Sequence, residues 1–110
     1  MNQTDFFKCL SDPTRLDILK LVLAKQDICV CEITEQLELS QPKISRHLAL
    51  LRNLAILLDQ RRGQWVYYRI NPDLPAWAHS VLQILEQEQH ANSKHDLATA
   101  TSAFISTQCE

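Results

Sequence analysis

The amino-acid sequence predicts a small α+β fold, mainly α-helical with one β-hairpin. Three observations carry that expectation. Two helical patterns are joined by the tight segment ELS at residues 38–40, two β-branched and aromatic runs flank Gly63, the chain's single glycine, and a long apolar helical pattern follows. At 110 residues, 45% hydrophobic and 22% charged, the chain has enough apolar material for one core. We expect one domain over residues 1–92 and a flexible tail over 93–110, which is rich in Ser, Thr and Ala.

The first helix is expected over DFFKCL, residues 5–10, a short apolar segment that needs a partner surface. In SDPTR, Ser11 or Asp12 supplies the next N-cap, and Pro13 sits in the first turn, where its missing N–H costs nothing. Leu16, Ile18, Leu19, Leu21, Val22 and Leu23 make this a largely buried, central helix that ends near Ala24. Within ICVCEITEQLEL, Ile33 and Leu37 lie four apart and set a short helix from Val30 or Glu32 to Leu37. Ser40 caps another start, Pro42 lies in its first turn, and Ile44, Leu48, Leu51 and Leu54 or Ala55 form one apolar stripe. The two helices make a helix-turn-helix. ILLDQ and WVYYRI are then strands around RRGQ, because a tight hairpin turn needs positive φ and glycine adopts it without steric cost. Together these elements describe a winged helix-turn-helix. NPDLP breaks the last strand, and Leu74, Trp77 or Ala78, Val81, Leu82, Ile84 and Leu85 mark a final helix that is apolar over more than one face.

The formal charge of -2 conceals an uneven distribution. Between Ser40 and Arg69 the six cations Lys43, Arg46, Arg52, Arg61, Arg62 and Arg69 face one anion, Asp59, a net of +5, while both flanks are acidic. That is the local footprint of a small nucleic-acid reader. The second helix of a helix-turn-helix presents its N-terminal residues to base edges in the major groove, and here its polar face offers Gln41, Lys43, Ser45 and Arg46. Arg61 and Arg62, at the hairpin tip, reach toward the DNA backbone or minor groove. A solvated polar face is the ordinary alternative, but the coincidence of turn, stripe, hairpin and charge favours DNA. Arg52 and Arg69 fit a solvated or salt-bridged role equally well, and His47, beside the apolar stripe, fits a packed, hydrogen-bonded histidine.

One such domain covers one half-site. Phe6, Phe7 and Leu10, with the apolar face of residues 74–88, are costly to expose, so a homodimer through the N- and C-terminal helices on inverted-repeat double-stranded DNA is expected. The alternative is that these helices only cover the monomer's own core. The longest apolar runs fall short of a bilayer span and MNQTDFFKCL lacks the layout of a signal peptide, which points to a cytoplasmic protein with no membrane role.

Of four cysteines, Cys29 and Cys31 are paired and Cys9 and Cys109 are isolated. In a reducing compartment such thiols bind metals, undergo redox chemistry or simply pack. Soft thiolates select thiophilic ions. Residues i and i+2 of a regular helix point apart, so one ion can hold both sulfurs only if the backbone at 29–31 is extended or pulled out of helical geometry. Such a distortion, just ahead of the recognition helix, would misplace Gln41 to Arg46 and shift the protein toward a state that binds DNA poorly.

SDPTRLDIL, CVCEI, LSQPKISRHLALLRNLAIL and RRGQWVYYRINPDLPAW, spread over residues 5–78, resemble the ArsR/SmtB family of winged-helix metal-sensing repressors, above all its arsenic-responsive members. The resemblance implies a homodimeric repressor, not an enzyme, that needs no cofactor to bind DNA and releases its operator when As(III) or Sb(III) binds its thiolates. It places DNA reading on Gln41, Lys43, Ser45 and Arg46 and metal binding on Cys29 and Cys31. Arsenic-responsive members carry CVCxxC, whereas Thr34 stands here at the third position. The third ligand is then Cys9, Cys109 or a small thiol such as glutathione, with Cys9, in an apolar setting, better suited to the core. Other members bind zinc on the last helix. His79 and His90 resemble that spacing, but Trp77 and Ser93 replace the flanking carboxylates. The alternatives are Cd(II), Pb(II) or thiol oxidation as trigger of the same repressor, or a thiol-based metal carrier or redox protein, which lacks a Cys-X-X-Cys motif in its support.

Overall fold

A computed structural model describes the backbone of residues 1–98 and the side chains through Glu88. Cys109, the His90 side chain and the segment from residue 99 lie outside the described residues. The elements run α1 (Gln3–Leu10), α2 (Pro13–Lys25), β1 (Ile28–Cys29), α3 (Val30–Leu37), α4 (Gln41–Asn53), β2 (Leu57–Arg62), β3 (Trp65–Ile70) and α5 (Ala76–Ala98). The helices pack around a three-stranded antiparallel sheet of order β1-β3-β2, which makes the fold mainly helical with a hairpin wing.

Local chemistry sets most boundaries. Asn2 accepts from the Asp5 N–H and starts α1 earlier than the apolar run alone suggested. Asp12 accepts from the Arg15 N–H, and Ser40 from the Lys43 N–H, so the capping oxygens of α2 and α4 satisfy donors that have no partner within the helix. The α3–α4 turn passes through Glu38 at φ 55°, a left-handed conformation more often taken by glycine or asparagine. At the hairpin, Gly63 (φ 65°) occupies the first of two loop positions, where a type II′ turn takes glycine. Arg61 and Arg62 therefore belong to the end of β2, paired with Val66 and Trp65, and not to the loop.

The core joins Phe6 of α1, Ile18, Leu19 and Val22 of α2, Ile28 of β1, Ile33 of α3, Ile44, Leu48 and Leu51 of α4, Leu57 of β2, Tyr68 of β3 and Leu82 of α5. Each such aliphatic side chain stabilises the fold by about 1.5–3 kcal/mol on burial. Cys9 belongs to this core, and burial pushes its thiol pKa up.

The stripe on α4 closes on Leu54, the C-cap, which packs against the core, whereas Ala55 turns to φ 61° and its carbonyl is held by the Asn71 amide at 2.9 Å. Phe6 and Leu10 are withdrawn from any dimer face, since Phe6 stacks edge-on to Trp77 at 5.1 Å inside the same chain. The C-terminal apolar residues divide likewise: Leu74, ahead of α5, and Ala78 and Leu82 within it are buried in the core, while Ile84 is 62% exposed and Phe7 of α1 50%. The helical backbone of α5 runs to Ala98.

Candidate nucleic-acid interface and thiol site

Helix α4 turns Ile44, Leu48 and Leu51 inward, and its opposite face leaves Gln41, Lys43, Ser45 and Arg46 exposed. Its seating is fixed from behind. The Arg15 guanidinium donates through Nε to the Cys9 carbonyl at 2.7 Å and contacts His47 Nδ1 at 3.2 Å through Nη1. Because an arginine only donates, His47 Nδ1 is the acceptor and its proton sits on Nε2. Asp12 Oδ2 lies 3.9 Å from the same ring nitrogen. The Arg15 backbone N–H, and secondarily the neighbouring Arg15 charge, hold the Asp12 carboxyl below its ordinary value. His47 is thus a structural tie from α4 to α2.

Several cations of the basic segment are committed elsewhere. Arg52 pairs with Asp59 at 3.7 Å and Arg62 with Asp27 at 2.7 Å. Among the described residues Lys43, Arg46 and Arg61 enter no ion pair, which leaves their charge to attract phosphate.

The cysteine pair sits where strand becomes helix. Cys29 ends β1, paired with Tyr67, and is also the N-cap of α3, with extended backbone at φ −75°, ψ 145°. Its sulfur accepts from the Cys31 N–H at 3.4 Å, doing the work of a capping oxygen. As a result Cys29 Sγ and Cys31 Sγ converge to 2.6 Å, both as free thiols. The i, i+2 divergence of a regular helix does not apply, because only Cys31 is inside one. Of the two backbone geometries that would let one ion hold both sulfurs, the extended one is present at Cys29. Cys29 is 7% exposed whereas Cys31 is open to solvent, which gives one anchored sulfur and one accessible one. The hydrogen bond to Cys29, then partial burial and the Cys29 charge, push the Cys31 thiol up from the ordinary thiol range.

Thr34 lies one turn beyond Cys31 and donates its hydroxyl to the Cys31 carbonyl at 2.8 Å. It shares a cleft of about 330 Å³ with both cysteines, with Gln41 and Ser45 of α4, and with Trp65 and Tyr68 of the wing. Cys9 lines a different cleft, with Arg15 and Leu50. Among the described residues no cluster of three His, Cys, Asp or Glu forms. His79 Nε2 is engaged by the Pro72 carbonyl at 3.0 Å.

Residues 12–57 match the bacterial regulatory protein family arsR. Arsenic resistance transcriptional regulator ArsR2 of Pseudomonas putida is 54% identical over 90 residues, covering 82% of this chain and 76% of that protein. The chain belongs to the ArsR family. Its relatives are named transcriptional regulators. ArsR1 of the same organism is 56% identical over 77 residues, 70% of this chain; the match spans 60% of ArsR1's own length. Among solved structures, HlyU from Vibrio cholerae superposes with a TM-score of 0.68 at 27% identity, over 77% of this chain and 88% of that one. In this ArsR-family chain no described helix is long and apolar enough to cross a membrane.

The fold brings Cys29, Cys31, Gln41 and Ser45 to one cleft and keeps Cys9 out of it. Sequence reasoning missed the aromatic wall of the cleft and the Arg15–His47 tie. Asp12 and Arg15 stand out within SDPTR, but nothing local connects them to His47, 32 residues further on.

Proposed function

We propose that this chain is an arsenite- and antimonite-responsive repressor, acting in the cytoplasm as a homodimer on an inverted-repeat operator. Gln41, Lys43, Ser45 and Arg46 enter the major groove, and the wing lies along the flanking DNA with Arg61, which enters no ion pair among the described residues, toward phosphate. The exposed Phe7 and Ile84, on α1 and α5, are the side chains a second copy would cover. The observation that carries the reading is the shared cleft: inducer sulfurs and base-reading side chains line one space.

As(III) or Sb(III) binds Cys29 and Cys31, and its third bond points into the cleft to hydroxide or to a small thiol such as glutathione. Two metal–sulfur bonds of about 2.3 Å at roughly a right angle hold their sulfurs about 3.3 Å apart. Bridging the two sulfurs re-aims Cys29 Sγ, the acceptor that caps the Cys31 N–H, and so disturbs the start of α3 and the end of β1. DNA is released to the extent that the inducer binds this displaced state better than the DNA-binding one.

The test is an operator titration by fluorescence anisotropy in reducing buffer. Wild type should bind the inverted repeat in a salt-dependent, sequence-specific way and release it with arsenite, while Cys29→Ser and Cys31→Ser bind but do not release. If either variant still releases DNA at wild-type arsenite levels, the thiol assignment is wrong. Release by cadmium, lead or peroxide in place of arsenite would keep the repressor and change its trigger.

A further inference from the structure

Side chains alternate between the two faces of a strand, so the neighbours Arg61 and Arg62 at the end of β2 project to opposite sides of the wing. They also differ in what they touch. The Arg62 guanidinium lies 4.4 Å above the Tyr67 ring, donates through Nε and Nη2 to Gln60 Oε1 at 3.3 and 2.9 Å, and pairs through Nη1 with Asp27 Oδ2 at 2.7 Å. Its two edges and one face are thus occupied from within the chain. The register puts Gln60, Tyr67 and Cys29 in one row across the three strands, so Arg62 reaches over that row from the outer strand β2 to the residue just ahead of β1. Asp27 stands two positions before Cys29.

We propose that Arg62 is a positioning residue, a strap that ties the wing to the segment leading into Cys29, and not a phosphate contact. This rests on the function proposed above and departs from the sequence expectation that Arg62 meets DNA. When the inducer takes up the two sulfurs, Cys29 moves with the end of β1; Asp27 and the Tyr67 pairing carry that displacement to Arg62 and so to the wing. The inducer then acts on two DNA-contacting elements at once, α4 through the cleft and the wing through the strap.

The experiment uses the full chain and an operator duplex, titrated by anisotropy across a range of salt, with and without arsenite. Arg61→Ala should flatten the slope of log affinity against log salt by about 0.9, the signature of one lost phosphate contact. Arg62→Ala should keep the wild-type slope yet shrink the arsenite-induced drop in operator affinity about two- to fivefold, the range expected for a partly exposed ion pair. Asp27→Ala should shrink it equally, the double variant no further, and the charge-swapped pair Asp27→Arg with Arg62→Asp should recover it. A purely structural loss would not be rescued by the swap. If Arg62→Ala does not fold, Asp27→Ala and the swap carry the test. A slope reduced by one contact in Arg62→Ala, or a wild-type arsenite response in Asp27→Ala, overturns the strap while leaving the repressor reading intact. A wild type that ignores both operator and arsenite overturns the repressor reading itself and the strap with it.

Discussion

Lowering the pH from about 8 to about 6 should leave arsenite-driven release unchanged and weaken cadmium-driven release about a hundredfold or more. The reason lies at Cys31. Its thiol is pushed up by its hydrogen bond to Cys29, then by partial burial and by the Cys29 charge, so it keeps its proton throughout this window. Arsenous acid is neutral: each As–S bond replaces an As–OH bond, and the thiol proton leaves with the hydroxide as water. No proton is exchanged with solvent. A divalent ion instead expels the proton, and each proton so displaced makes the apparent affinity fall about tenfold per pH unit. Cys31 alone then accounts for about a hundredfold over two units. The assay is the inducer concentration for half-release of a labelled operator, at constant ionic strength, with a non-chelating phosphine reductant and normalised to the inducer-free affinity at each pH. An arsenite midpoint that moves by more than about tenfold in parallel with cadmium would refute the reasoning.

Removing Arg15 as Arg15→Ala strands the Cys9 carbonyl and His47 Nδ1, at a cost of about 2 kcal/mol for charged hydrogen bonds in a partly buried site. The urea midpoint should fall by about 1–2 M, and Arg15→Lys should not restore it because an ammonium lacks the fork that spans both acceptors; a fall under about 0.3 M rules this account out. X-ray absorption of bound arsenic should report two protein sulfurs in wild type and in Cys9→Ser, and three in Thr34→Cys, whose half-release concentration should drop about a hundredfold through chelation. Coordination unchanged in Thr34→Cys would place residue 34 out of reach, and a sulfur lost in Cys109→Ser would assign the third ligand to the tail. The Asp12 carboxyl titrates below its ordinary value, first because it accepts from the Arg15 N–H, so it contributes stability present above its unfolded pKa, 3.8, and lost as pH falls through the lowered folded value. Asp12→Asn keeps the cap without the charge and should flatten the acid limb of stability against pH below about 4; an unchanged limb contradicts the assignment.

The helix-turn-helix was legible because its signals are local. Ser40, Pro42 and the Ile44–Leu48–Leu51 spacing each constrain neighbouring backbone, and the observed cap and inward face follow from them. The hairpin was legible for the same reason at Gly63. β1 was not, since two residues carry no periodicity and their strand exists only because β3 offers Tyr67 and Tyr68 an open edge. Reading Phe6 and Leu10 as interface failed on a similar point. Apolar residues on a short helix demand cover, but only packing decides whether the cover comes from the same chain, as Trp77 does for Phe6.

By itself the sequence determined which residues are available: a basic reading helix, a hairpin beside it, a pair of thiols at i, i+2, and a threonine three residues beyond the second of them. The tertiary structure decided how they meet. Cys29 is extended because β3 holds it in a sheet, and this turns two sulfurs that a helix would separate toward each other. Arg61 and Arg62, indistinguishable in sequence, part company because strand alternation sends only one of them across the sheet to Asp27. Side-chain chemistry is a property of the residue, but convergence depends on backbone direction, which contacts distant in sequence impose.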